Sequence, residues 1–541
     1  MISGADIMVK CLENEGVSIV FGYPGAAICP FYDSLFQSSI RHILVRQEQN
    51  SVHAASGYAR STGKPGVCVA TSGPGATNLI TGIATAYTDS IPIIAITGQV
   101  RSDLLGRDVF QEADITGACE PFVKHSYLVK HTEDLPRVFK EAFHIAFTGR
   151  PGPVLIDIPI DVQQNKVEAF TYPEKAEIVG YKPSTKGHAI QIQKAARLIR
   201  DSVRPVICAG GGVLSSGIKL KLVAFAEKTG IPVVSTMMGI GVMPSEHNQY
   251  LGMLGSYGKG AANRAIHEAD LILVCGARLG DRAVASPDQV TERSKIIHID
   301  IDPAEIGKNI KTTIPIVGDM KNVIDKLVEE TGNYHIPKHW EDTIQRWKKE
   351  LFRTPLQFEG FVEPRSFVAD LSAMLPSKAI LVADVGQNQI WCANNFRIKE
   401  GRFLTTGGMG TMGYSIPAAI GAKLARPSRE VVVICGDGAF QMSMNELGTI
   451  AQNGLNIKII IMRNTRLGMV RELQKNVYGG RYAATFLDEN TPDFLKIADA
   501  YQLPSAMVNA NEDALRAAQK MLAHNGSYML VCNVSPETPS I

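Results

Sequence analysis

Short apolar runs that end on glycine-rich or polar turns recur along the chain and alternate with helical stretches. In the clearest example, the apolar run 431–435 enters a Gly-Asp-Gly turn, a helical stretch follows over 440–452, and the apolar run 457–462 leads to Asn464. A strand, helix, strand unit of this kind is a right-handed crossover, and its two strands are parallel. The alternation therefore predicts an α/β protein built on parallel sheets.

Two polar residues close neighbouring strands of this unit. Asp437 follows the first strand and Asn464 follows the second, so the crossover predicts that both lie at the carboxyl edge of the sheet, where α/β proteins bind ligands. A carboxylate and an amide oxygen suit Mg²⁺ or Ca²⁺. Gly438 and the helix start behind it favour a phosphate group. The pattern indicates a metal-bridged phosphate site, although a tight turn beside an unrelated asparagine would give the same letters.

The same rhythm divides the 541 residues into three blocks. We expect three doubly wound parallel-sheet domains with the bounds 1–165, 190–335 and 365–541. A polar stretch containing proline and lysine separates the first two blocks, and a charged stretch containing tryptophan separates the last two. The first and third blocks both end strands on glycine-rich turns, which gives them a loose likeness.

Composition limits the partners of the protein. The formal net charge of +2 does not favour binding to nucleic acid or to an anionic membrane, and no apolar run is long enough to cross a bilayer. Nine cysteines are scattered without metal-ligand spacing, and several lie in apolar runs, which indicates a reducing compartment. We therefore expect a cytoplasmic protein without a signal or transit peptide.

The first block carries further residues suited to ligand binding. Glu48 comes after an apolar run and opens a helix, where an acid can simply complement the helix dipole. The turns at 22–25 and 71–75 also end apolar runs, and the second of them opens a helix. Three such features in one domain exceed what a core requires, which favours a binding role.

An ordered set of motifs resembles one enzyme family. Its members are thiamine diphosphate-dependent enzymes called acetohydroxyacid synthases or acetolactate synthases, and the likeness concerns their large catalytic subunit. It runs in order from Ser3 to about Val534. It rests on Gly-Asp-Gly with an asparagine 27 positions after the aspartate and on GYPGAAICPFYDSL, RQEQNSVHAASGYAR, TSGPGATNLITGIA, FQEADI, GRPGPVLIDIP, GARLGDR, HIDIDPAEIGKN, DVGQNQ, GGMGTMGYSIPAAIGA and LGMVRE.

The resemblance implies the thiamine diphosphate-binding fold and a carboligase reaction. The enzyme would decarboxylate pyruvate and join the two-carbon unit to a second 2-keto acid, giving 2-acetolactate or, from 2-ketobutyrate, 2-aceto-2-hydroxybutyrate. This is the first common step of branched-chain amino acid biosynthesis. Two alternatives stay open: another thiamine diphosphate-dependent decarboxylase, carboligase or pyruvate oxidase, and a non-catalytic paralogue. The paralogue would be expected to have lost Glu48 or Asp437, and both are present.

The resemblance also implies roles for individual residues. The Mg²⁺ ligands would be Asp437, Asn464 and the backbone carbonyl of Arg466. Contacts to the cofactor's diphosphate would come from Gly386, Gln387, Gly438 and Ala439. Met409 and Met442 would flank the aminopyrimidine, and Glu48 would hydrogen-bond its ring. Substrate would meet Phe110, Gln111, Lys124 and Arg282, although Lys124 also fits a solvated surface lysine. A structural, non-redox FAD would contact Arg150, Gly211, Gly212, Gly276, Ala277, Arg278, Arg282, Asp300 and Asp319.

The family pattern carries expectations about partners, and this chain departs from it in places. The active site would lie between two chains of a homodimer or tetramer, with a small regulatory subunit as a further partner.

Ser256-Tyr257 and Gly280 stand where many relatives have Met-His and Asp, which weakens the FAD assignment. Leu473 stands where relatives that prefer 2-ketobutyrate carry Trp, which leaves the choice of acceptor open.

Overall fold

Three six-stranded parallel sheets dominate the computed structural model, which describes residues 1–350, 356–487 and 492–541. Every strand pair within these sheets is parallel, and helices join the successive strands. The predicted class of three parallel-sheet α/β domains is confirmed. Among the residues that the structure describes, no helix combines the length and apolar composition that a membrane crossing needs.

The first domain has the strand order β3-β2-β4-β5-β7-β6, with β1 and β8 forming a separate antiparallel pair. Its strands are β1 Ile2–Ser3, β2 Ile19–Gly22, β3 Arg41–Leu44, β4 Gly66–Ala70, β5 Ile93–Gln99, β6 His125–Leu128, β7 Val154–Pro159 and β8 Lys166–Val167. Its helices are α1 Gly4–Asn14, α2 Cys29–Phe36, α3 Glu48–Thr62, α4 Pro74–Thr77, α5 Ile80–Thr88, α6 Ile115–Cys119, α7 Leu135–Phe147 and α8 Ile160–Gln164. A capping box of Ser3 and Asp6 starts α1.

The central domain has the strand order β11-β10-β9-β12-β13-β14, which reverses direction between β9 and β12. Its strands are β9 Pro205–Ala209, β10 Val233–Ser235, β11 Tyr250–Met253, β12 Leu271–Cys275, β13 Lys295–Asp300 and β14 Ile314–Val317. Its helices, with the connector that follows, are α9 Ala189–Asp201, α10 Gly211–Ser215, α11 Lys219–Thr229, α12 Gly260–Glu268, α13 Pro287–Arg293, α14 Met320–Thr331 and α15 Lys338–Glu350.

The third domain has the strand order β16-β15-β17-β18-β20-β19, which repeats the order of the first domain strand for strand. Its strands are β15 Ile380–Ala383, β16 Arg402–Leu404, β17 Val431–Gly436, β18 Lys458–Arg463, β19 Ser505–Val508 and β20 Tyr528–Asn533. Its helices are α16 Pro364–Met374, α17 Gln387–Asn395, α18 Ser415–Ala425, α19 Asp437–Ser443, α20 Leu447–Gln452, α21 Gly468–Val477, α22 Phe494–Ala500 and α23 Asn511–Ala523.

The helix expected over 440–452 differs from the structure at its start. It begins at Asp437, because the residue opens the helix directly from the strand and its carboxylate accepts the next backbone N–H. A 3₁₀ turn, Met444–Glu446, then separates α19 from α20. The end at Gln452 agrees with the prediction.

The first and third domains share one apolar core across the contact of α3 with α18. Small residues bring the two helices together, because a Cβ atom on Gly57 would overlap the carbonyl oxygen of Ala418. A Cβ atom on Gly421 would overlap the carbonyl oxygen of Ala54 in the same way. The backbones therefore touch, and this contact sets how the two domains lie relative to each other.

Candidate active site

Asp437 and Asn464 end the adjacent parallel strands β17 and β18 at the carboxyl edge of the third sheet. Asp437 is buried, and its Oδ2 accepts a 2.7 Å hydrogen bond from the N–H of Thr465. Burial raises the pKa of Asp437 to about 6, against the opposing effect of its backbone N–H donors. Oδ1 of Asn464 accepts a hydrogen bond from the N–H of Arg466 at 3.0 Å, so these two expected metal ligands lie in one turn of the chain. The third, Asp437, lies at the end of the neighbouring strand.

The donors at this edge suit a hard divalent cation. They are a carboxylate, an amide oxygen and a backbone carbonyl, the type of set that binds Mg²⁺ or Ca²⁺. No group of three or more histidine, cysteine or acidic side chains that could hold a metal occurs in the described parts of the chain. The oxygen donors of Asp437, Asn464 and Arg466 are of the kind that fits a magnesium ion.

The backbone next to the expected ligands carries two glycines at positions where a side chain would not fit. Gly386 opens α17 with a φ of 137°, and a Cβ atom there would lie 2.7 Å from the side-chain oxygen of Asn388. A Cβ atom on Gly438 would lie 2.9 Å from Leu467. Ala439 follows in the first turn of α19, where free N–H groups favour an anion.

Gln387 uses its side chain to orient Asn464, one of the expected metal ligands. Its Oε1 accepts a 3.1 Å hydrogen bond from the amide nitrogen of Asn464, and its Nε2 donates to the carbonyl of Thr538 at 3.0 Å. Gly468 makes this arrangement possible, because a Cβ atom there would overlap Oε1 of Gln387. The amide of Asn464 is thereby fixed with its oxygen on the opposite side from Gln387.

Glu48 is the first residue of α3 and lies half-buried in the first domain. Its Oε2 accepts a 3.0 Å hydrogen bond from the side chain of Asn78. A Cβ atom on Gly75 would lie 3.5 Å from Oε1, so the expected glycine-rich turn does reach the acid. Within the described chain, no side-chain hydrogen bond of Glu48 reaches the third domain.

Several residues expected to meet the cofactor or substrate are exposed apolar side chains. Met409 and Met442 are 47% and 55% exposed, and Leu473 on α21 is 54% exposed. Helix α21 buries none of its residues, although its apolar side chains share one face. The carboxyl edge of the third sheet is thus flanked by apolar surface without a partner in the described part of this protomer.

The residues expected in the substrate channel fall into separate places. Phe110 is 87% exposed, and Gln111, with a φ of 60°, packs its backbone against Gly73 in the glycine-rich turn. Arg282 is exposed on a loop beside Asp281. The structure brings Gln111 towards the Glu48 turn but leaves Phe110 and Arg282 extended into solvent.

Lys124 is engaged within the first domain rather than free. Its ammonium donates to the carbonyl of Thr148 at 2.7 Å and to the hydroxyl of Tyr181 at 3.1 Å, and it also contacts the carbonyl of Ile145. Burial lowers the pKa of Lys124 to about 8. In this protomer Lys124 binds the C-terminal end of α7, and the reading as a solvated surface lysine is wrong. A contact with substrate stays a prediction.

The glycines expected to bind FAD lie where the strand order of the central sheet reverses. Gly211 and Gly212 follow β9, and Gly276, with a φ of 55°, follows β12 ahead of Ala277 and Arg278. The N–H of Gly212 donates to the carbonyl of Gly276 at 3.0 Å. Such a switch point is the usual place for a dinucleotide in a sheet of this order.

The polar residues expected around the flavin already have partners. Asp300 ends β13, and burial raises its pKa to about 6. Asp319 caps α14 by accepting from the N–H of Lys321 at 3.0 Å. Arg150 binds Glu305 at 2.7 Å and Asp302 at 3.2 Å, which ties the first domain to the central one.

Three buried or partly buried acids near the site were missed from the sequence. Asp384 accepts from the N–H groups of Gly413 and Ser415, and Asp89 accepts from Gly407 and Gly408. Glu446 reaches the start of α3. Asp384 had a signal, since it ends an apolar run in DVGQNQ. Asp89 and Glu446 form hydrogen bonds with residues hundreds of positions away in the sequence, and one sequence cannot reveal such contacts.

Comparisons with known proteins agree with this arrangement. Three family models match the chain: the N-terminal TPP binding domain of thiamine pyrophosphate enzymes over residues 2–118, their central domain over 192–327 and their C-terminal TPP binding domain over 384–532. A probable acetolactate synthase large subunit from Methanocaldococcus jannaschii is 46% identical over 547 residues, covering 99% of this chain and 92% of that protein.

Other relatives are similarly close. An acetolactate synthase from Arthrospira platensis is 44% identical over 553 residues, covering 99% of this chain and 94% of the relative. An acetolactate synthase large subunit from Haemophilus influenzae is 44% identical over 508 residues, covering 92% of this chain and 88% of the relative.

Proposed function

We infer the working of the site from these matches, since the chain belongs to the acetolactate synthases of the thiamine pyrophosphate enzyme family. It is a thiamine diphosphate-dependent acetolactate synthase of branched-chain amino acid biosynthesis. The reaction joins two molecules of pyruvate into one 2-acetolactate and releases one CO₂. The observation that carries the residue assignments is the placement of Asp437 and Asn464 at adjacent strand ends, with Glu48 at the start of α3.

The third domain would hold the diphosphate through a metal ion. We propose that Mg²⁺ binds Asp437, Asn464 and the carbonyl of Arg466, with Gln387 keeping Asn464 in orientation. The backbone at Gly386, Gly438 and Ala439 would bind the diphosphate through N–H groups. Bound thiamine diphosphate supplies the electron sink that a 2-keto acid needs in order to lose CO₂.

Glu48 would share a proton with the cofactor's pyrimidine ring. Asn78 holds Oε2 of the acid, which leaves Oε1 beside the bare backbone of Gly75 for the cofactor. Acid–base catalysis of this kind contributes about a hundredfold or more. Met409 and Met442 would flank the ring, and Phe110, Gln111, Lys124 and Arg282 would line the approach of substrate.

The active site would be completed by a second copy of the chain. The exposed Phe110, Met409, Met442 and Leu473 are apolar side chains around the proposed site, and a partner subunit would cover them. We propose a homodimer or a dimer of dimers, with a small regulatory subunit as the partner that the relatives' "large subunit" names suggest. Free and mostly buried cysteines support a cytoplasmic location.

The central domain would hold FAD without using it for electron transfer. The glycines at the β9 and β12 ends fit a dinucleotide, and the proposed contacts are Arg150, Gly211, Gly212, Gly276, Ala277, Arg278, Arg282, Asp300 and Asp319. Domain bounds of 1–165, 190–335 and 365–541 belong to the same proposal.

Product analysis tests the proposed site. The protein is supplied with pyruvate, thiamine diphosphate and Mg²⁺, and acetolactate and acetate are both measured. Acetolactate as the main product is expected, whereas acetate with hydrogen peroxide would indicate a pyruvate oxidase.

The Glu48→Gln variant should bind the cofactor, but the proton on the C2 atom of the cofactor should exchange about a hundredfold more slowly. Exchange at the wild-type rate would remove Glu48 from the mechanism.

A further inference from the structure

Glu446 of the third domain reaches into the first domain and binds the segment that carries Glu48. It lies in the 3₁₀ turn between α19 and α20, and its side chain is fully buried. Its Oε1 accepts from the backbone N–H of Arg46 at 2.8 Å and from the side-chain amide of Asn50 at 2.9 Å. These donors stand two residues before and two residues after Glu48, so one carboxyl group spans the start of α3.

Helix α3 lacks a side-chain cap of its own. Its N-cap residue, Gln47, makes no side-chain capping hydrogen bond, so the first turn is not closed by its own sequence. An acidic group near a helix N-terminus also complements the helix dipole. Glu446 does not accept from the N–H groups of this turn; it ties the backbone just before the N-cap, at Arg46, to the side chain of Asn50 in the first turn of α3.

The other contacts of Glu446 fix its own orientation. Thr449 donates to Oε2 at 2.6 Å, and it lies one turn away on α20. The guanidinium of Arg46, the charged group beside it, donates to the carbonyl of Leu44 at 3.0 Å and to Gln452 at 2.8 Å. Burial raises the pKa of Glu446, opposed by its hydrogen bonds and by the charge of Arg46.

We propose that Glu446 is a positioning residue for Glu48. The side chain of Glu48 has one hydrogen-bond donor within the described chain, Asn78, so its position follows from the backbone at the start of α3. By holding Arg46 and Asn50, Glu446 keeps the Glu48 carboxyl group where it can share a proton with the pyrimidine ring. The inference rests on the proposed function of Glu48 and adds a residue that does not itself touch the cofactor.

Two substitutions of Glu446 and one control test the proposal in the full-length protein with thiamine diphosphate and Mg²⁺. Glu446→Ala removes both acceptors, and C2 proton exchange, measured by NMR, should slow about tenfold, since small misplacements of a catalytic group are costly. Its affinity for thiamine diphosphate should stay within about threefold of wild type, because the diphosphate site is unchanged. Glu446→Gln keeps a carbonyl oxygen for both donors and should exchange at close to the wild-type rate.

Gln452→Ala is the matched control. It removes a hydrogen bond from the third domain to the guanidinium of Arg46, but it leaves the backbone N–H of Arg46 and the amide of Asn50 in place. Exchange at the wild-type rate is expected for this variant. Slow exchange in Gln452→Ala equal to that in Glu446→Ala would show a general effect of domain contact and would overturn the specific role.

The remaining outcomes each decide the matter. A folded Glu446→Ala protein that exchanges at the wild-type rate refutes the proposal, and so does a Glu446→Gln protein as slow as Glu446→Ala. If Glu446→Ala does not fold, Asn50→Ala removes the donor from α3 to Oε1 while keeping the acid, and unchanged exchange there would refute it. Glu48→Gln is measured in parallel: normal exchange in that variant ends the proposed role of Glu48 itself, whereas slow exchange there with normal exchange in Glu446→Ala ends only this inference.

Discussion

Replacement of Leu473 by Trp should shift the choice of acceptor towards 2-ketobutyrate. Leu473 lies on α21, and the preceding residue, Glu472, anchors that helix by accepting from Gln387 at 3.3 Å. Successive residues of a helix are turned by about 100°, so Leu473 is turned away from Gln387 and lies on the exposed apolar face of α21. Its side chain is 54% exposed in this protomer, so an indole would not be overpacked within its own chain.

The size of the shift follows from one methylene group. The two acceptors differ by a single CH₂, and full burial of a CH₂ is worth about 0.8 kcal/mol. An indole that covers this group, where leucine does not reach it, should therefore raise the ratio of acetohydroxybutyrate to acetolactate about fourfold. Because residue 473 is half-exposed within the protomer, the free energy of unfolding of a single chain should change by less than about 0.5 kcal/mol.

A competition assay measures the effect directly. Pyruvate and 2-ketobutyrate are supplied together, and both products are quantified over a range of acceptor ratios. Val477→Trp places the same side chain one helical turn further along α21, where the native residue is 62% exposed, and should leave the product ratio unchanged. The reasoning fails if Leu473→Trp does not move the ratio, or if the wild type already favours acetohydroxybutyrate by tens of fold.

Three further predictions follow from the site and the fold. Asp437→Ala should lose thiamine diphosphate because the diphosphate loses its metal bridge, and an unchanged calorimetric titration would contradict this. The purified protein should carry flavin whose visible absorbance stays constant during turnover, and bleaching in step with product would indicate an oxidase. Gly421→Ala should destabilise the folded chain by about 1–3 kcal/mol in urea unfolding, because its Cβ atom overlaps the carbonyl of Ala54. Gly280→Ala, where no atom lies within 4 Å of the new Cβ, is the matched control.

The parts of the site that the sequence could predict are local. A parallel crossover places its two strand ends together, so the proximity of Asp437 and Asn464 follows from pattern and handedness alone. The same holds for Glu48, whose place at the opening of α3 follows from an apolar run and a helical stretch next to each other in sequence. Such predictions depend on a few tens of residues and on rules that all parallel sheets obey.

Non-local contacts account for what the sequence could not supply. The start of α19 at Asp437 depends on where the chain leaves the sheet, which apolar periodicity does not encode. The engagement of Lys124 needs Thr148 and Tyr181, which come from the end of a later helix and from the stretch after the first domain. A polar stretch such as the one with Tyr181 is typical of a linker, and only its packing reveals that it is a partner for the partly buried ammonium of Lys124.

Two acidic side chains, one from the first domain and one from the third, each form hydrogen bonds with the opposite domain. These bonds give the contact between the two domains a proposed role in the active site. Asp89 of the first domain accepts from the N–H groups of Gly407 and Gly408, immediately before Met409 in the third. Glu446 of the third domain holds the residues around Glu48 in the first. Each domain therefore fixes the geometry of a segment that belongs to the other domain and that is proposed to contact the cofactor. In the proposed dimer, the contact of these domains within one chain would hold no cofactor, yet it would position residues that serve two active sites.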